Sequence, residues 1–347
     1  MKLHKSINKS VILALVLVEL VIFSACGVMG GEDKIKVCQV TNLGGIKDNA
    51  SNSITWMGIE TAEKSLNIRG QYLKSEDTSD FKKNIDTFIN RDCDLIVTIG
   101  SDLADATATA ANAHPEVKFS IVDYDFEPDN SNVVDQVFNL EEGAFIAGYL
   151  AASVTRTGRV GTFGGEQISS VTKVMDGFAH GVAWYNQVKN DNVEVMGWDV
   201  ETQTGLFTYD FDNEQKSRDF AIQLMDLGTD IIMPVAGKSG IGAAATISGR
   251  GNAYMIGVGY DWALANIKYA DSTLTSVMEK TNVTTTLLIQ EVLNGNFAGG
   301  NLVGNLENGG VGLAPYYKLD PMVSDLVRTE LKQLQIDIIS GVVQMNP

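Results

Sequence analysis

KVCQVTNLGGIKDNASNSITWMGIETAEKSLNIRGQYLKS, residues 36–75, changes pattern twice. KVCQV is a short apolar run with β-branched members. SITWMGIETAEKSL (53–66) then places Ile54, Met57, Ile59, Ala62 and Leu66 at helical spacing, and RGQYLKS reads as a strand again. A strand, a helix and a second strand in so short a span predict parallel pairing across a helical crossover.

The alternation continues outward. FKKNIDTFINRD is a helix, DLIVTIGS a strand, LADATATAANAH a helix and KFSIVDYD a fourth strand. It restarts with EEGAFIAGYLAASVTR, a helix whose small residues allow close packing. RVGTFGG, NVEVMGWDV, DIIMPVAG and YMIGVGY follow as strands, separated by helical patterns. The expected class is therefore α/β, with two lobes of parallel sheet covered by helices. The expected division assigns residues 36–140 and 281–297 to the N-terminal lobe, and 141–280 and 298–347 to the C-terminal lobe. A tail helix, MVSDLVRTELKQLQIDIISG, has Leu326, Leu331, Leu334 and Ile338 as its apolar members.

Ahead of the lobes, Lys2, Lys5 and Lys9 precede the apolar run VILALVLVELVIF, and Ser24 and Ala25 supply small residues before Cys26. The run is shorter than the roughly 20 apolar residues a spanning helix needs, so residues 1–25 read as a signal peptide. Small residues before a cysteine resemble a bacterial lipobox, although Phe23 stands where leucine is preferred. That resemblance implies a Cys26 carrying lipid, a linker over 26–35, and a location on the outer face of the cell membrane.

The formal charge of -17 argues against a phosphate-backbone partner, so nucleic acid is excluded. Three histidines and no zinc-type spacing leave no metal or cofactor expected. Cys38 and Cys93 fall on strand-like segments several residues out of register, and are expected as buried free thiols. VGTFGGEQ lacks the spacing of a dinucleotide loop. Asp102, Asp105 and Asp123 have no G-x-S-x-G nucleophile motif beside them, which argues against an enzyme. Trp56 reads as core packing.

Four segments then carry a family resemblance: VTNLGGIKDNASNSITWMG, NLEEGAFIAGYLAA, VGTFGGEQISSVTKVMDGFAHGV and DIIMPVAGKSGIGA. In this order they resemble the motifs of the basic membrane protein, or purine nucleoside receptor A-like, substrate-binding lipoproteins. The resemblance covers nearly all of residues 36–315. It implies a type I periplasmic-binding fold that closes on a purine nucleoside and delivers it to the permease and ATPase of an ABC importer. The implied ligand-binding residues are Asn42, Ser51, Asn52, Asp123, Phe211, Gly237, Asp261 and Lys280. Three positions depart from the pattern: Asn42 stands in place of Asp, Ser51 in place of a stacking Phe, and Gly259 in place of Asp. A surface enzyme or a sensor using the same cleft, and a binding protein respecified for another ligand, are the alternatives.

Overall fold

The computed structural model describes residues 34–345, so the expected signal peptide and Cys26 lie outside the described residues. Strands β1 (Ile35–Val40), β2 (Ile68–Leu73), β3 (Leu95–Ile99), β4 (Lys118–Val122) and β5 (Val133–Phe138) form one parallel sheet. β13 (Gly300–Gly304) closes its far edge, giving the order β13-β5-β4-β3-β1-β2. Helices α1 (Ser51–Ser65), α2 (Asp80–Ile89), α3 (Ala104–Ala113) and α9 (Thr281–Leu293) belong to this lobe. Its inner strands β3 and β4 are buried almost throughout, as both-face coverage by helices requires, while the edge strands β2 and β13 are partly exposed.

The second sheet comprises β6 (Arg159–Gly164), β7 (Glu194–Met196), β10 (Ile231–Val235), β11 (Tyr254–Gly259), β12 (Thr273–Glu279) and β14 (Val311–Leu313). Their order is β14-β12-β11-β10-β6-β7, with β14 antiparallel to β12. A small ribbon, β8 (Trp198–Asp199) and β9 (Thr204–Gly205), stands apart. Around the sheet lie α4 (Leu140–Val154), α5 (Ser169–Lys189), α6 (Glu214–Asp226), α7 (Gly240–Arg250), the single turn α8 (Trp262–Ala265) and α10 (Asp325–Ile339).

The close packing expected of the small residues in α4 is realised against α5. A Cβ on Gly181 would stand 2.0 Å from the Phe145 carbonyl oxygen, and one on Gly148 would stand 2.0 Å from that of Phe178. Only glycine permits helix backbones to approach that closely.

The described chain passes between the lobes after β5, after β12 and after β13. Backbone bonds tie these passages together. The Asn139 N–H donates to the Gly304 carbonyl at 2.9 Å, and the Lys280 N–H to the Gly310 carbonyl at 2.8 Å. The Leu306 N–H donates to Glu142 Oε2 at 2.7 Å.

Three expectations are corrected here. Residues 300–304 belong to the first lobe, because β13 pairs in parallel with β5. Cys38 and Cys93 form a disulfide rather than two free thiols, with a Cα separation of 6.2 Å. Cys93 precedes β3 instead of lying on it. Its N–H bonds to the Phe88 carbonyl, and Asp92 adopts a φ of 53°, which folds the turn back towards β1. In α10, Leu331 and Leu334 are buried but Leu326 is 65% exposed. At 3.6 residues per turn it points about 110° away from the other apolar members.

Candidate functional site

In a doubly wound sheet, ligands collect beyond the carboxyl ends of the strands where the strand order reverses. The order reverses at β1, flanked by β2 and β3, and at β6, flanked by β7 and β10. The loop following β1 is built by Asp48. Its Oδ1 accepts from the Ala50 and Ser53 N–H groups at 2.9 and 3.1 Å, and its Oδ2 from Asn52 Nδ2 at 2.7 Å. Asn52, fully buried, accepts from the Asn42 N–H at 3.1 Å and donates to Asn42 Oδ1 at 2.6 Å. The structure thus joins the expected residues Asn42 and Asn52, but spends Asn52 on shaping the loop. Asn42 Nδ2 has no partner among the described residues. Ser51, half-buried, opens α1.

Asp123 follows β4 with a φ of 61°, a left-handed conformation that costs a non-glycine residue energy and concentrates at functional sites. Its N–H is held by the Gln136 carbonyl at 2.9 Å. The carboxylate opens onto an interlobe cavity of about 680 Å³ whose lining includes Tyr124, Asn139, Glu141, Ser169, Lys173 and Glu279. The side chain is exposed at the cavity, and partial desolvation by the protein around it raises its pKa to about 6. Glu279 lies well above the ordinary carboxylate range, through burial first and then the charge of Asp123. Two acceptor carboxylates, one from each sheet, therefore converge on one cavity.

Glu279 was not among the expected residues. Its signal was available, since a carboxylate closing a strand stands where ligands are bound.

Successive strand residues point to opposite sides, and β12 uses this alternation as a partition. Glu279 lines the first cavity, while Met278 and Lys280 line a second of about 460 Å³ together with Ser53, Met57 and Asp261. Burial lowers Lys280 below the ordinary lysine range, and its amine has no ion-pair partner among the described residues. It fits beside β14 because Gly312 is there: a Cβ on that residue would stand 2.7 Å from Nζ.

Asp261 is only 6% exposed, and its oxygens are engaged within its own lobe. Oδ1 caps α8 by accepting from the Ala263 and Leu264 N–H groups at 3.1 and 3.2 Å, and Oδ2 accepts from the Tyr317 hydroxyl at 2.5 Å. Phe211 and Gly237 meet at the carboxyl ends of β6 and β10. The Phe211 ring lies over Gly165, where a Cβ would approach it to 2.4 Å, and flanks Gly237 at 3.3 Å. Gly259 has a φ of 95°, so the aspartate the resemblance led one to expect would be strained there. Tyr260 stacks on Trp262 at 5.5 Å and is raised by burial, with Asp48 of the opposite lobe adding to the shift. Trp56 packs edge-on against Tyr72 at 5.0 Å and donates to Glu60, away from either cavity lining.

Residues 35–346 match the family described as ABC transporter substrate-binding protein PnrA-like. The chain belongs to this family. Among curated relatives of the PnrA-like family, an ABC transporter nucleoside-binding protein BmpA of Lactococcus lactis subsp. cremoris is 29% identical, over 88% of each chain. Basic membrane protein A of Borreliella burgdorferi is 28% identical, over 95% of this chain and 93% of that one. Among solved structures, an ABC transporter system solute-binding protein from Conexibacter woesei superposes with a TM-score of 0.72 at 22% identity, covering 89% of this chain and 98% of that one. At that identity the likeness shows the fold alone, and it supports the type I periplasmic-binding architecture of the PnrA-like proteins.

Proposed function

We propose that this substrate-binding protein captures a purine nucleoside between its lobes. The observation that carries the reading is the convergence of Asp123 and Glu279 on the interlobe cavity. Carboxyl oxygens accept from the vicinal hydroxyls of a ribose, which need partners once buried, and the raised Glu279 can also donate when protonated. Phe211, laid over backbone at the ends of β6 and β10, supplies an aromatic face for a base, and Asn42 Nδ2 is a free donor near the other switch point. Asp261 supports this site by holding the loop after β11, rather than by touching ligand.

The protein is held to the outer face of the membrane through lipid on Cys26, beside the permease and ATPase of an importer. Binding and release in a hinged cleft need no catalytic group. A second reading, a polyhydroxylated ligand without a purine, is favoured by Ser51 and Gly259, which remove one stacking ring and one acid from the family pattern.

Calorimetric titration of residues 27–347, unfolded and refolded to strip any bound molecule, tests the proposal against inosine, guanosine, adenosine and ribose. Micromolar or tighter binding of a nucleoside, without binding of ribose, is the expected result. No heat with any nucleoside overturns it.

A further inference from the structure

A second feature of the first lobe lies in the loop between β4 and β5, where Asp125, Asp129 and Asp135 each bring one carboxylate oxygen within 4.8 Å of the others. Asp125 and Asp129 are exposed on the loop, whereas Asp135 belongs to β5 and is 1% exposed. One oxygen of Asp135, Oδ2, accepts the Phe126 N–H at 2.7 Å. The other, Oδ1, is buried without a hydrogen-bond partner among the described residues. A buried acceptor left open is unfavourable, and more so when it is charged. No lysine or arginine pairs with any of the three among the described residues. Unneutralised negative charge, a buried open acceptor and an exposed approach from the loop define what belongs there: a hard cation.

We propose that Asp125, Asp129 and Asp135 bind a divalent cation of the calcium class. Calcium takes 6–8 oxygens in a flexible arrangement, so three carboxylates, two of them on a surface loop, can be completed by water and main-chain carbonyls. Magnesium demands a near-ideal octahedron and usually keeps its water with one or two carboxylates. The start of β13 flanks the cluster, since a Cβ on Gly300 would stand 3.6 Å from Asp129 Oδ2. The cation therefore sits where the loop meets the sheet edge. The same loop carries Asp123, Tyr124, Asp125 and Glu127 into the interlobe cavity. Pinning it fixes the wall of the ligand cleft from behind.

The site is tested on chelator-stripped protein of residues 27–347 by calorimetric titration and thermal melting with calcium chloride, with magnesium chloride and with sodium chloride at matched ionic strength. Saturable uptake of calcium near one equivalent is expected, with a melting temperature raised by about 5 °C at a hundredfold excess over Kd. D135N removes the buried ligand. D129N removes an exposed one and leaves the fold intact, so the test survives a failure of D135N to fold. Both variants should lose at least tenfold in calcium affinity. Absence of saturable uptake, retention of wild-type affinity in D129N, or an equal response to magnesium or sodium overturns the assignment. None of these outcomes depends on nucleoside binding.

Discussion

The two lobes follow one architectural plan and differ in how they are held and in what they present to the cleft. The first is stapled by Cys38–Cys93 beneath β1, while the second relies on the glycine-to-carbonyl contact of α4 with α5. Each lobe sets an aspartate beyond a strand end. Asp123 keeps its carboxylate open to the cleft in a left-handed backbone, and Asp261 is spent on two N–H groups and a tyrosine hydroxyl. Position after a strand is therefore insufficient to name a ligand-binding acid. What separates the two is whether the carboxylate is already satisfied.

Removing the staple should have the largest effect. A bridge across a sequence separation of 55 restricts the unfolded chain by about 4 kcal/mol in the loop-entropy account. The C38S/C93S double variant should lose about that much in urea unfolding, with the loss confined to the first lobe if the lobes unfold separately. An unchanged midpoint would remove the first contrast between the lobes.

The matching test in the second lobe is G181A. A methyl placed 2.0 Å from the Phe145 carbonyl oxygen forces the helices apart, at a cost of about 3 kcal/mol. Melting of G181A beside a solvent-facing control, G249A, reads it. Nothing lies within 4 Å of a Cβ at Gly249. Equal behaviour of the two would mean that α4 and α5 tolerate separation.

The aspartates divide stability from binding. D261N should lose about 1–3 kcal/mol of stability, since it weakens a helix cap and a buried charged hydrogen bond. D123N should leave the unfolding midpoint unchanged or raised. Its nucleoside affinity should fall about 10- to 100-fold, the value of a hydrogen bond to a charged group. Exchange of these two phenotypes would invert the assignment of the residues.

Glu279 sharpens the same contrast through pH. Its folded-state pKa lies above its unfolded value, so between the two the native state binds more protons. Stability contributed by this group is full below the ordinary glutamate range and is lost as pH rises through the raised value. Urea midpoints should fall with rising pH across that window, and E279Q should flatten the slope. An unaltered slope in E279Q would place the titration elsewhere.

Much of this was legible in the sequence, because apolar β-branched strands alternating with helical spacing admit few arrangements other than two parallel sheets. β5 escaped notice since Asp135 and Gln136, both buried, interrupt its apolar run. β13 is hard to read for a related reason: GNLVG is short, and its place in the sheet depends on β5. The disulfide depended on a turn at Asp92, which strand register alone does not reveal. Among the site residues, Asp123 follows β4, as the alternation predicts, whereas Phe211 lies in the irregular segment between β9 and α6 and only its ring reaches the ends of β6 and β10. The satisfaction of Asp261 depends on Tyr317, a residue distant in the chain, and no local pattern discloses such a pairing.

The smallest expected effect bears on the ligand itself. Ser51 opens α1 in the first lobe, where the family pattern has a stacking Phe, and under the proposed function a ring at this position would face the base together with Phe211 of the second lobe. S51F restores the missing partner. Aromatic stacking adds about 0.5–1.5 kcal/mol beyond area burial, which corresponds to roughly 2- to 10-fold tighter binding. The gain should appear for inosine and guanosine and be absent for ribose, which has no base to stack. If S51F tightens neither nucleoside, the two positions do not face one ligand, and the base lies away from α1. If it weakens both, Ser51 is itself in contact with the base, and the loss of the ring is an adaptation of this cleft rather than a gap in it.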